Sequence, residues 1–469
     1  MTGLLAFLVP LVAGWGLVRA ALVRHRIRPP WAARVFEAAL GAGAGIAISS
    51  VAFFLLTLAG AALLADILLL DTALLAAAVF AFWPTRRRAA TGPAQSATTP
   101  LFRWNWVLAL ALAAGSALVL YGLVSVSAAN TYGEWDAWSI WNLRAKFLAA
   151  SGDAWRAALS PLPDKAGMHP DYPLLLSGFV AMVWKASGDT APWVPQLTGF
   201  LFLALVAASL TSALTALRGL TSALSAGLVL LSSTSFLFLA TMQYADLPLS
   251  FYCLASIVLL LFAEPALSGA FASFAAWTKN EGLAFAVLLA LAILAVEWRA
   301  AGLRSALDRS RRFLTGAAPV LLLVVCFKLF LAPASDPLFQ KGAAGLAHKL
   351  MDPSRYAQIA KAMIVDLYHF GQPWSHPLLL LAILALALRF RIDATQVRAL
   401  RASSIALALA FAAYCGVYLV TPSDLAWHLR TSLPRLYGQL WPSVLLLVFL
   451  TLNVPGDAPP PKPTSRARK

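Results

Sequence analysis

The sequence predicts an all-α, polytopic membrane protein, and three observations predict it. Of the 469 residues, 60% are hydrophobic and only 12% charged, with a mean hydropathy of +0.76. A soluble chain of this length would divide into domains, whereas a composition this apolar belongs to a fold bounded by the bilayer. Apolar runs recur along the chain at about the 20 residues that a helical crossing needs. Basic residues are scattered through the short loops between these runs, which is the positive-inside pattern. That pattern assigns the formal charge of +16 to anionic lipid headgroups and argues against nucleic acid as a partner. Cys253, Cys326 and Cys415 lie far apart inside apolar runs, so neither a disulfide framework nor a zinc motif is readable.

The first element, MTGLLAFLVPLVAGWGLVRAALV, has no basic n-region and no small-residue cleavage site before Arg19. It reads as a retained span over 3–23, not as a cleaved signal. Spans follow at 36–57 and 62–83, and the Pro/Ser/Thr/Arg linker WPTRRRAATGPAQSATTPLFRW closes an N-terminal region, 1–104. A larger module, 105–452, holds spans at 105–127, 192–216, 222–241, 246–263, 313–333 and 403–421. Shorter candidates at 267–278, 282–297, 376–390 and 438–452 bring the expectation to about 13 crossings. The end of the chain, 453–469, is basic, rich in proline and expected to be disordered.

The stretch YPLLLSGFVAMVW, 172–184, decides the sidedness. If it crossed, Arg218 and the basic loop with Arg299, Arg304, Arg309, Arg311 and Arg312 would lie outside, against the charge rule. It is also short for a crossing, so we place it on the membrane surface as a juxtamembrane helix. The N-terminus is then outside, and loops 24–34, 84–104, 298–312 and 389–401 are cytoplasmic with the tail. Long outer loops fall at 129–191 and 334–375, and most of the acidic residues gather on the outer side.

Four outer segments combine ionisable residues with helix breakers, and such residues at a membrane edge are functional candidates. They are the loop 129–171 with YGEWDAWSIWNLRAK and MHPDYP, then QYADLP, TKNEG and SDLAWHLRTSLPRLYGQLWP. Trp135, Trp138 and Trp141 suit interface anchors, which leaves Glu134 and Asp136 among them unexplained. Asp136, among aromatic rings, suits a general base for a hydroxyl. Glu134 is two residues away and would not share its helix face. Arg144 and Lys146 either pair with acids or steer an anionic substrate.

Each candidate also has a structural reading. Asp246 before Leu-Pro suits an N-cap. Lys279 and Glu281 suit snorkelling to the interface, while His428, Arg430 and Arg435 suit a loop facing headgroups. His169 beside Pro170 reads as a turn residue before it reads as a ligand. Asp66 and Asp71 inside a span read as helix–helix contacts. Asp136, Asp171 and Asp246 leave a divalent metal open, although their spacing fits no ligand motif.

In their order and common sidedness these motifs resemble the membrane glycosyltransferases of the GT-C fold. The branch they are most similar to is the bacterial one related to protein O-mannosyltransferases and the aminoarabinose transferases of lipid A. The likeness covers roughly 105–300 and, more loosely, 421–442. It implies a polyprenyl-phosphate sugar donor reached sideways from the bilayer, with Asp136 as base, inversion at the anomeric carbon and the lipid phosphate leaving. It implies substrate contacts from Glu134, Trp138, Asp171, Asp246, Lys279, Glu281, His428, Arg430 and Arg435, with Arg435 and Lys279 on the phosphate. The acceptor would be a glycan, lipid or protein, and no other cofactor is implied.

Four departures stand out. Glu134 and Asp136 are split by Trp135, and HPDYP stands where relatives have two consecutive prolines. About three spans precede the catalytic loop instead of one, and no large soluble domain follows the last span. Richness in Ala, Leu and Arg suggests a bacterial inner membrane, with the active site facing the periplasm. Two other readings compete. A transporter or flippase predicts intramembrane charges in matched halves, and Asp66, Asp71 and the TKNEG break fit it in part. A polymerase or ligase of O-antigen type would use Lys349, Arg355, His369 and His376 of the late outer loop.

Overall fold

The computed structural model describes residues 2–22, 27, 29–61, 65–67, 69–70, 72–77, 104–150, 152–160, 169–333, 342–373 and 375–457. Among them the regular elements are helical, with one isolated bridge between Phe390 and Leu452. The first four helices are α1 (Thr2–Leu22), α2 (Pro30–Leu58), α3 (Asn105–Ala129) and α4 (Asn142–Ala149). Next come α5 (Leu175–Ser187), α6 (Trp193–Leu217), α7 (Leu220–Leu231) and α8 (Thr234–Met242). They are followed by α9 (Asp246–Leu261), α10 (Pro265–Thr278), α11 (Asn280–Cys326) and α12 (Gly342–Met351). The last are α13 (Pro353–His369), α14 (Pro377–Ala387), α15 (Val397–Val420) and α16 (Leu425–Thr451). Seven of the described helices are long and apolar enough to cross a membrane, or eight if α7 and α8, bent by 67°, count as one. This is an all-α, multi-pass membrane protein.

The longest of these helices is a hairpin. Gly302 interrupts α11 with φ +83° and ψ 169°, a conformation open essentially to glycine alone. A continuous helix from Asn280 to Lys328 would hold those residues about 70 Å apart. Instead both reach the same carboxylate oxygen of Asp171, at 2.7 Å and 3.3 Å. The expected spans 282–297 and 313–333 are therefore its two antiparallel arms, and the basic stretch around Gly302 is the turn between them.

The bundle has two polar ends. At one, Arg19 meets Glu37, Thr221 meets Asn105, and Arg218 meets Asp457. Glu297 there takes both Arg309 and Arg398. At the other lie the ion pairs Asp136–Arg435, Asp246–Lys279 and Asp171–Lys328, with Lys279 over the Tyr172 ring. Close packing holds the helices between these ends. Glycines let α1 and α2 touch backbone to backbone: a Cβ built on Gly45 would lie 1.8 Å from the Pro10 carbonyl oxygen. Small residues serve this purpose between membrane helices, where hydrophobicity gives no drive to associate.

The structure adds to three expectations. The stretch 172–184, expected as a juxtamembrane helix, forms α5 and is buried by neighbouring helices along almost its whole length. Ser177 Oγ donates to the Trp141 carbonyl on one side, and Ser50 Oγ of α2 donates to the Leu174 carbonyl on the other. Secondly, the span expected at 438–452 is the second half of α16, and 222–241 is the bent pair α7–α8. Thirdly, the late outer loop 334–375 contains helices: α13 runs beside α16, with Tyr437 Oη donating to the Met363 carbonyl at 3.3 Å. Asp71, and much of the span expected at 62–83, fall outside the described residues.

Candidate functional site

Asp136 stands immediately before a π-helical turn, Ala137–Trp141. Such turns are rare and are frequent at functional sites, because the extra residue re-aims neighbouring side chains. The Asp136 backbone N–H donates to Tyr244 Oη at 3.1 Å, and Arg435 Nη1 donates to its carboxylate. The Arg435 guanidinium lies 5.0 Å above the Tyr244 ring. Burial, the largest effect, pushes the Tyr244 hydroxyl up to about 12, so it keeps its proton. Of the nearby tryptophans, Trp135 and Trp138 pack edge-on against each other at 4.3 Å and are 59% and 48% exposed. Trp141 is buried and stacks on Tyr172. The partner of Asp136 is a cation.

Asp246 opens α9 and is 1% exposed. Its side chain caps nothing; Oδ1 accepts from Lys279 Nζ at 3.1 Å and from Gln439 Nε2 at 2.5 Å. Lys279 is also bonded to Glu281, at 2.9 Å, and lies over the Tyr172 ring at 5.6 Å. Lys279 is buried and does not snorkel, whereas Glu281 is partly exposed. A buried charge is tolerated only when paired and hydrogen-bonded, and here each one is. Tyr414 Oη donates to Gln439 Oε1 at 2.7 Å and fixes which way that amide points.

A second wall is the loop before α5. Arg144, fully buried, donates to the carbonyls of Ala158, Pro170 and His169 at 3.2, 3.2 and 3.5 Å. Burial lowers its pKa to about 10, opposed by the charge of Asp171, so it remains a cation. His169, at φ +43°, is the turn residue the sequence suggests, and its ring stacks on Tyr172 at 4.8 Å. Tyr172 in turn stacks on Trp141 at 5.6 Å. Burial would raise Asp171, but the Lys328 ammonium and hydrogen bonds from Asn280 and Lys328 hold it below its usual range.

Around this core Arg435 Nε, Trp141 Nε1, Glu281 Oε2 and Asn280 Oδ1 are buried without a partner among the described residues. Two are donors and two are acceptors. Such atoms are costly unless something completes them, and the mixture suits a hydroxyl-bearing ligand, each of whose O–H groups donates and accepts.

Not every expected residue joins this site. Glu134 accepts from Asn130 at 3.0 Å, and Arg430 is exposed on α16. His428 bonds Thr421 Oγ1 at 2.9 Å and packs edge-on to Tyr418. Trp138 lines an adjoining cleft. The three acids left open for a divalent ion are held by separate cations, and no three His, Cys, Asp or Glu side chains converge among the described residues. Lys349 and Arg355 donate to the carbonyls of Tyr418, Leu419, Val420 and Thr421, where they satisfy the open end of α15. His369 and His376 engage Gln372 and the Tyr368 carbonyl. The sequence reading missed Tyr172, Tyr244, Asn280, Lys328 and Gln439. Lys328 and Gln439 carried a signal, being polar residues inside predicted spans.

No protein-family model, no curated protein and no solved structure matches this chain.

Proposed function

We propose that this protein is a membrane glycosyltransferase that moves a sugar from a polyprenyl-phosphate carrier to an acceptor hydroxyl, with inversion. The observation that carries this reading is the Asp136–Arg435 pair, set against the buried Asp246–Lys279–Gln439 network at the ends of apolar helices. The acceptor O–H passes its proton to Asp136 as its oxygen bonds to the anomeric carbon. The bond from that carbon to the phosphate oxygen breaks, and its electron pair leaves with the lipid phosphate. Arg435 suits the developing charge, because guanidinium matches phosphate geometry in a low-dielectric site. A phosphate that drew Arg435 to itself would release Asp136 at the moment a base is needed. Lys279, held between Asp246 and Glu281, orients the cluster.

Depth supports a lipid-linked donor. Helices α9 and α10, of 16 and 14 residues, are about 24 and 21 Å long against a hydrocarbon core of about 30 Å. With their far ends at one boundary, Asp246 and Lys279 lie below the other, where a carrier lipid brings its phosphate sideways. We place the protein in a bacterial inner membrane with this end toward the periplasm.

The test is transfer from mixed polyprenyl-phosphate sugars in reconstituted vesicles. Asp136→Asn should lose about 10²–10⁴-fold in rate and Arg435→Gln about 10²–10³-fold, both with normal folding. Wild-type rates in either variant would remove that residue from the chemistry. A second reading, passage of the intact carrier across the bilayer, is favoured by the 67° break between α7 and α8. The same vesicles separate the two, since a translocated donor keeps its glycosyl–phosphate bond.

A further inference from the structure

Next to Asp136 the π-helical turn and α4 form one wall of a cleft of about 160 Å³, and the chain entering α6 forms the other. Trp138, Asn142 and Lys146 recur at four-residue spacing along one helical face and all line it. Tyr132, Trp184 and Gln243 complete the lining that matters here. Gln243 adopts the left-handed conformation, φ +60°, which turns its amide into the cleft wall. There Asn142 Nδ2 donates to Gln243 Oε1 at 2.9 Å, and Gln243 Nε2 donates to the Thr131 carbonyl at 3.0 Å. That leaves Asn142 Oδ1 as an acceptor for an incoming group. The cleft is close in the chain to the candidate base: Gln243 precedes the tyrosine that takes the Asp136 N–H, and Trp138 follows Asp136 by two residues.

Its chemistry is selective. Lys146 is the only acidic or basic residue in the lining, is exposed, and makes no ion pair or hydrogen bond among the described residues. The volume is below the roughly 300–1,000 Å³ of pockets for drug-sized ligands, so it takes one ring and not an extended chain. Partly exposed aromatic faces beside amide groups suit a ring with apolar C–H faces and a hydroxyl edge. We propose that this cleft seats the acceptor of the transfer reaction, and that the group it holds is a sugar ring bearing an anionic substituent. The assignment rests on the transferase reading for the word acceptor, but not for the binding itself.

The test is equilibrium binding of two probes that differ by one carboxylate, methyl glucuronoside and methyl glucoside, to purified protein in nanodiscs, followed by saturation-transfer NMR. Wild type should prefer the glucuronoside by about tenfold. Lys146→Gln should abolish the preference while glucoside binding is kept, and Lys146→Arg should retain it. Trp138→Ala should weaken both probes alike. Equal affinity for the two probes in wild type, or a preference that survives Lys146→Gln, overturns the assignment. Selective binding in a protein that cleaves no donor would uphold the anionic-sugar site and sink the transferase reading. Donor cleavage without selective binding would do the reverse.

Discussion

At the scale of single residues, the site is governed by how each buried charge is answered. Asp246 and Lys279 have side chains only 2% and 4% exposed, and each is the main counter-charge of the other. Removing one partner leaves the other stranded, so Lys279→Met should cost about 3–5 kcal/mol, seen as a large fall in thermal unfolding temperature in detergent. Replacing both with Asp246→Leu and Lys279→Met should recover most of that loss, because Glu281 is partly exposed and can be solvated. Asp171 gives the pH dependence. Its folded-state pKa is depressed, so its stabilisation is present above the unfolded value, about 3.9, and is lost as pH falls through the folded value. The gap in unfolding temperature between wild type and Asp171→Asn should therefore be constant above about pH 5 and close on further acidification. A gap that widened in acid would contradict the pairing with Lys328.

At the scale of elements, two glycines do different work and predict different losses. Gly302 turns the α11 hairpin at φ +83°, and a Cβ there would meet nothing within 4 Å. The cost of Gly302→Ala is therefore backbone strain alone, about 1–3 kcal/mol. Gly45 is an ordinary helical residue whose added Cβ would strike the Pro10 carbonyl, so Gly45→Ala must separate α1 from α2. Its cost is steric, about 1–3 kcal/mol, and should be relieved in a chain that lacks α1, where the Gly302 cost persists. Unfolding temperatures of the four combinations decide this. Equal relief of both would mean that Gly302 is also a packing glycine.

At the scale of the whole molecule, the network at the site end and the ion pairs at the other define two faces. In a background with Cys253, Cys326 and Cys415 replaced by Ala, Lys146→Cys should react with an impermeant maleimide added outside intact cells. Arg304→Cys, in the turn of the hairpin, should react only after permeabilisation. Both positions are exposed, so labelling of the two from one side would break the two-faced arrangement.

The sequence by itself determined the class of the fold, because hydropathy and basic-loop spacing are one-dimensional quantities that the bilayer reads directly. It also pointed to Asp136, Asp171, Asp246, Lys279 and Arg435, since charges beside apolar runs are conspicuous in any register. What it could not carry was pairing. Arg435 reaches Asp136 from 299 residues away, and nothing local to either residue announces the other. The tryptophans beside Asp136 are conspicuous in the sequence, yet the side chain that bonds its carboxylate is Arg435. The same blindness hid α5, whose apolar length reads alike for a surface helix and for one buried between α2 and α4. Only tertiary structure decided these points, because burial and charge pairing are set by which helices become neighbours, and close approach of backbones such as Gly45 and Pro10 sets that.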